Sequence, residues 1–89
     1  MTAEVKGIVC AKNQWTALSV GKANVLAVVR EFGDGKVVLA AAPPQSVTPS
    51  TDFLTLNENR PVSLHFSDTT TNVYVWPVSE NLVVEVVRE

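Results

Sequence analysis

Seventeen of the 89 residues are Val, and they fall in short runs separated by Gly, Pro, Asn and Asp. That pattern limits the fold more than any other feature. A side chain branched at Cβ has few χ1 rotamers in a helix and fits the pleated, half-buried surface of a sheet. No window carries an apolar stripe at i, i+3, i+4, i+7 between capping residues. The nearest, residues 20–30, holds Gly21, Asn24 and several Val, which favour a strand. The runs predict eight strands, at about 4–10, 14–19, 23–31, 36–42, 53–56, 61–67, 73–78 and 82–88. Strands repeating every 8–12 residues or so point to a sandwich or barrel. The expected fold is all-β: a single-domain, jelly-roll-like or Greek-key β-sandwich of seven to eight antiparallel strands over residues 1–89.

The breaks between runs read as hairpin turns. Val20-Gly21-Lys22, Gly33-Asp34-Gly35, Asn57-Glu58-Asn59 and Ser79-Glu80-Asn81 all contain residues that accept positive φ. Asp68-Thr69-Thr70-Thr71-Asn72 is a longer polar turn. The segment 43–51 holds Pro43, Pro44 and Pro49, which stiffen it and bar it from a central strand. It is expected to be the crossover from one sheet to the other, between an N-terminal meander and two C-terminal hairpins. Residues 1–10 have two readings, an ordinary core strand or an arm that adds to a neighbour's sheet edge.

In a two-layer sandwich each strand alternates apolar-in and polar-out. Residues 61–67 obey, with Val62, Leu64 and Phe66 opposite Ser63, His65 and Ser67. Other strands are apolar on both faces. Val73 and Val75 oppose Tyr74, Trp76 and Val78; Val25, Ala27 and Val29 oppose Leu26 and Val28; the second face of 82–87 holds Val83 and Val87, broken only by Glu85. Residues 37–42 are apolar on both sides as well. Two layers cannot cover all of this, and covering one exposed Val or Leu contributes about 1.5–3 kcal/mol. Self-association is therefore expected, with Trp15, Leu26, Val28, Tyr74, Trp76, Val83 and Val86 as candidate interface residues. A closed barrel whose bulges shift the alternation is the alternative.

Charge and chemistry exclude several function classes. Net charge is −2, from 7 Lys and Arg against 9 Asp and Glu, with no run of like charges. This argues against a nucleic-acid binder, and no apolar run is long enough to span a membrane. Met1–Lys6 lacks the basic and apolar regions of a signal peptide. A single Cys allows no internal disulfide, which suits a reducing cytoplasm. Cys10 and the single His, His65, supply no metal set, and each has a simple structural reading: a small core residue and a surface histidine. Ser63 and Ser67 share a strand face with His65 without a nucleophile elbow. Asp68 and Asn72 offer oxygens for Ca²⁺, but at a spacing unlike an EF-hand. Tyr74 and Trp76 have the form of a stacking platform without the Lys or Arg that frames one for nucleic acid. No catalytic residue, cofactor or metal is expected, and the protein is not expected to be an enzyme.

The order of the runs carries a resemblance. A Trp-led strand, Gln14-Trp15-Thr16-Ala17-Leu18, is followed by Val25-Leu26-Ala27-Val28-Val29-Arg30, a Gly turn, a Val-Val-Leu-Ala strand, a Pro-Ser-Thr connection, Val73-Tyr74-Val75-Trp76 and a closing β-branched run. This resembles the small all-β structural proteins that tailed bacteriophages encode near their capsid genes, including head decoration or cement proteins and minor virion components. The resemblance implies a virion protein, assembled in the host cytoplasm, that binds and stabilises a shell as a homo-oligomer, with trimer ahead of dimer. It also implies the major capsid protein as a partner. A generic β-sandwich interaction module, an adaptor or carbohydrate-binding domain, is the alternative.

Overall fold

The computed structural model describes residues 3–30, 33–44, 53–78 and 80–89. Eight strands form: β1 Glu4–Cys10, β2 Thr16–Ser19, β3 Asn24–Val29, β4 Gly35–Ala40, β5 Leu54–Leu56, β6 Val62–His65, β7 Asn72–Pro77 and β8 Leu82–Arg88. There is no helix among the described residues. Each strand overlaps a run marked out by its β-branched residues.

The pairing is that of one long hairpin wound on itself. β1 pairs with β8, β2 with β7, β3 with β6 and β4 with β5, all antiparallel. Winding then sets β3 beside β8 and β4 beside β7. Two four-stranded sheets result, β1-β8-β3-β6 and β2-β7-β4-β5. This is the strand order of a jelly roll.

The topology corrects the hairpin reading of the turns. Gly21, the Gly33–Gly35 segment, Asn57–Asn59 and Glu80–Asn81 do reverse the chain. Yet each joins a strand of one sheet to a strand of the other. Only β4 and β5 are both consecutive in the chain and paired with each other. The proline-rich segment joins those two strands, so it is not the sheet-to-sheet crossover expected for 43–51. Residues 45–51 lie outside the described residues, as does Ser79. The physical reason is plain: a turn residue sets the reversal, while the partner of each strand is set by burial against strands far away in the chain.

The core lies between the sheets. Cys10, Val25, Ala27, Val29, Val62, Leu82, Val84 and Val86 point in from the first sheet, and Leu18, Val37, Leu56, Val73 and Val75 from the second. The thinnest dimension, 18 Å, accommodates two sheets about 10 Å apart and no third layer. A bulge in β2 sets Leu18 and Ser19 together opposite Val73, which turns Ser19 inward as well. At the C-terminal end of β8, Arg88 joins the layers. Its Nε donates to Glu4 Oε1 at 2.7 Å on β1, and its Nη1 donates to the Leu18 carbonyl at 2.7 Å on β2. Gly33 takes φ 138°, a turn conformation. Gly35 serves a different need: a Cβ there would stand 2.7 Å from Val75 Cγ2 and 3.1 Å from Leu82 Cδ2, so β4 enters the core only without a side chain.

Candidate functional site

The outer faces of the two sheets differ, and that difference locates the site. On the outer face of β2-β7-β4-β5 the chain covers its own aromatic residues, while Leu39, Leu54 and Val78 at the margins of this sheet stay exposed. Tyr74 and Trp76 are buried, 4% and 8% exposed, although they point away from the core. Trp15 meets Trp76 edge to face, with ring centroids 5.4 Å apart. Lys36 Nζ sits 4.9 Å from the centre of the Phe53 ring. Asn72 Nδ2 donates to the Tyr74 hydroxyl and to the Ala41 carbonyl, each at 3.2 Å. Tyr74 and Trp76 therefore pack within one chain and present no stacking platform.

The outer face of β1-β8-β3-β6 is open. The register places Val5, Val87, Leu26 and Ser63 in one row across four strands, with Val9 beside Val83 and Val28 beside Glu85. Val5 is 72% exposed, Val9 69%, Leu26 39% and Val87 38%, while Val28 and Val83 are half-buried. One ion pair interrupts this surface: Arg30 Nε donates to Glu85 Oε2 at 3.0 Å. The Arg30 guanidinium reaches on over Gly7, where a Cβ would stand 2.7 Å from Nη2. Gly7 thus leaves the space that the arginine fills.

Of the seven candidate interface residues, this face brings together Leu26, Val28 and Val83. Trp15, Tyr74 and Trp76 belong to the opposite side of the molecule. Val86 is fully buried and faces the core, so it holds the fold together and is closed to any partner. Sequence reasoning missed Val5 and Val9. They share a face with Gly7, opposite Ile8 and Cys10, and that alternation marks a strand with a non-core face, which was the available signal.

At the end of the open face lies a depression of about 330 Å³ lined by Asn24, Leu26, Ser63, His65, Val87 and Glu89, among others. His65 Nδ1 lies 2.7 Å from Asn24 Oδ1, and Asn24 Nδ2 lies 3.4 Å from Glu89 Oε1. An amide oxygen only accepts, so His65 Nδ1 donates in this contact. Ser63 and His65 share one strand face, but the His65 ring pairs with Asn24 and forms no hydrogen bond to Ser63.

The remaining sequence candidates take structural roles. Burial pushes the Cys10 thiol up to about 11, the behaviour of a core residue. Asp68 accepts through Oδ1 from the amides and hydroxyls of Thr70 and Thr71, and these bonds hold its carboxyl below the usual range. Asn72 turns away, to Gly21, Ala41 and Tyr74. The two residues considered for Ca²⁺ therefore diverge, and no group of three or more metal-ligating side chains occurs among the described residues. No protein-family model, curated protein or solved structure matches this chain.

Proposed function

We propose that this protein is a non-enzymatic structural module of a virion, a decoration or cement protein that docks on an assembled protein shell. The open apolar face of β1-β8-β3-β6 carries the reading. Large contiguous apolar surface on a soluble domain marks an interaction site. The jelly roll supports the virion part by analogy alone, because the same order builds capsid, lectin and cupin domains.

The size of the face favours a repeating shell as its occupant. The four strands, of seven, seven, six and four residues, lie about 4.8 Å apart and rise about 3.3 Å per residue, a footprint of roughly 380 Å². A stable pairwise complex takes about 800 Å² from each partner. One face on its own is therefore a weak contact, suited to a partner that offers many equivalent sites to linked copies.

The test is co-sedimentation with intact shells made from the capsid gene neighbouring this protein's own. The wild-type chain is expected to pellet with the shells. The double variant Leu26→Lys/Val28→Lys should lose at least about tenfold in affinity while keeping its β-sheet circular dichroism. Failure of the wild-type chain to bind, or a gene neighbourhood without capsid, portal and terminase genes, overturns the proposal.

A further inference from the structure

We infer that β1 is a self-pairing edge: two copies join antiparallel along β1, with Gly7 on the two-fold axis, into one continuous eight-stranded sheet. This rests on the strand edges and is independent of what docks on the face. Sheet edges expose unpaired backbone groups, and proteins blunt them with short strands, bulges and prolines. Three of the four edges here are treated that way. β2 has four residues and a bulge between Ala17 and Ser19, β5 has three residues, and β6 has four and follows Pro61. β1 is the exception. It runs seven residues in unbroken register against β8, and no strand pairs with its other side among the described residues.

The side chains select the register. Centring on Gly7 pairs all seven residues, Val5 against the second copy's Val9, Lys6 against its Ile8 and Glu4 against its Cys10. Val5 and Val9, the two most exposed of the large apolar residues, then cover each other. A shift of the axis to Lys6 would set two lysines directly opposite, which is repulsive. Each Arg30 above Gly7 is already neutralised by its Glu85, so the axis brings together two ion pairs and not two bare cations. The joined sheet doubles the open face to about 760 Å² on the same strand spacings, close to the area each partner gives in a stable contact.

Directly opposed residues have Cβ atoms about 4.5–5.5 Å apart, near disulfide range, whereas Val5 and its own copy lie about 13 Å apart in this register. The experiment is mild oxidation of Val5→Cys/Val9→Cys with non-reducing electrophoresis, beside sedimentation of the wild-type chain across a concentration series. Both positions are solvent-exposed, so the fold survives the substitutions. The double variant is expected to form a covalent dimer at least about tenfold faster than either single variant, and the wild-type chain to show a monomer–dimer equilibrium. Single variants that cross-link as fast as the double, or a wild-type chain that stays monomeric up to hundreds of micromolar, overturn the pairing. Leu26→Lys/Val28→Lys, remote from the edge, should still cross-link in the double-cysteine background; loss of cross-linking there would mean that the copies meet through the face and would overturn the edge.

Discussion

Ser19 is fully buried, and its hydroxyl has no hydrogen-bond partner. A buried polar group left unpaired costs about 1–3 kcal/mol. Ser19→Ala removes that cost together with little volume, so the variant should be more stable by about 1 kcal/mol, read as a higher denaturation midpoint at unchanged slope. Nothing in the local sequence distinguishes Ser19 from an outward residue, since strict alternation after Leu18 places it on the outer face. The β2 bulge reverses that parity, and a bulge arises from how β7 lies against β2. Cys10, by contrast, was legible as a core residue because it ends the alternating run Val5-Lys6-Gly7-Ile8-Val9 on the Ile8 face. Gly35 was legible as special and assigned the wrong reason. A turn glycine and a close-packed glycine look alike until Val75 and Leu82 are known to stand against it.

At the scale of elements, the eight strands were readable and their partners were not. Val-rich runs and turn residues are local signals, whereas β1 finds β8 across more than seventy residues. β1 is also lightly held for its length: of its seven residues only Cys10 is buried, with Ile8 and Glu4 half-covered. Its tie to the body includes the Glu4–Arg88 ion pair, and the hydrogen bond from Arg88 holds the Glu4 carboxyl below its ordinary value. A carboxylate whose pKa is lowered on folding adds stability above its unfolded pKa and loses it as pH falls through the folded value. Acidification from neutral pH into that range should therefore raise amide exchange along residues 4–9 before it does so in β7. Glu4→Gln should produce the same loosening at neutral pH and remove the pH dependence; equal exchange in β1 and β7 throughout the titration would show that the pair does not hold the strand.

For the whole molecule, the sequence indicated more apolar surface than two layers can cover; the outer-face surplus gathers on the first sheet, and on the second Leu39, Leu54 and Val78 are exposed at the margins. On the second sheet, Tyr74 and Trp76 are enclosed by the chain itself, which alternation within one strand could not reveal, because Trp15 comes from a distant segment. On the first sheet the surplus stays open, carried by Val5, Val9, Leu26 and Val87. Its nature fixes how docking should respond to solution conditions. The Arg30–Glu85 ion pair on that face is already closed within the chain, and the net charge of the protein is only −2. Long-range attraction is small, so screening has little to remove. Shell binding, measured by co-sedimentation, should change less than about threefold between 50 and 500 mM salt, and it should fall on cooling, as apolar burial weakens at low temperature. Steep loss with salt would instead assign the contact to charged groups away from this face, and the Leu26→Lys/Val28→Lys variant would then bind as well as the wild-type chain.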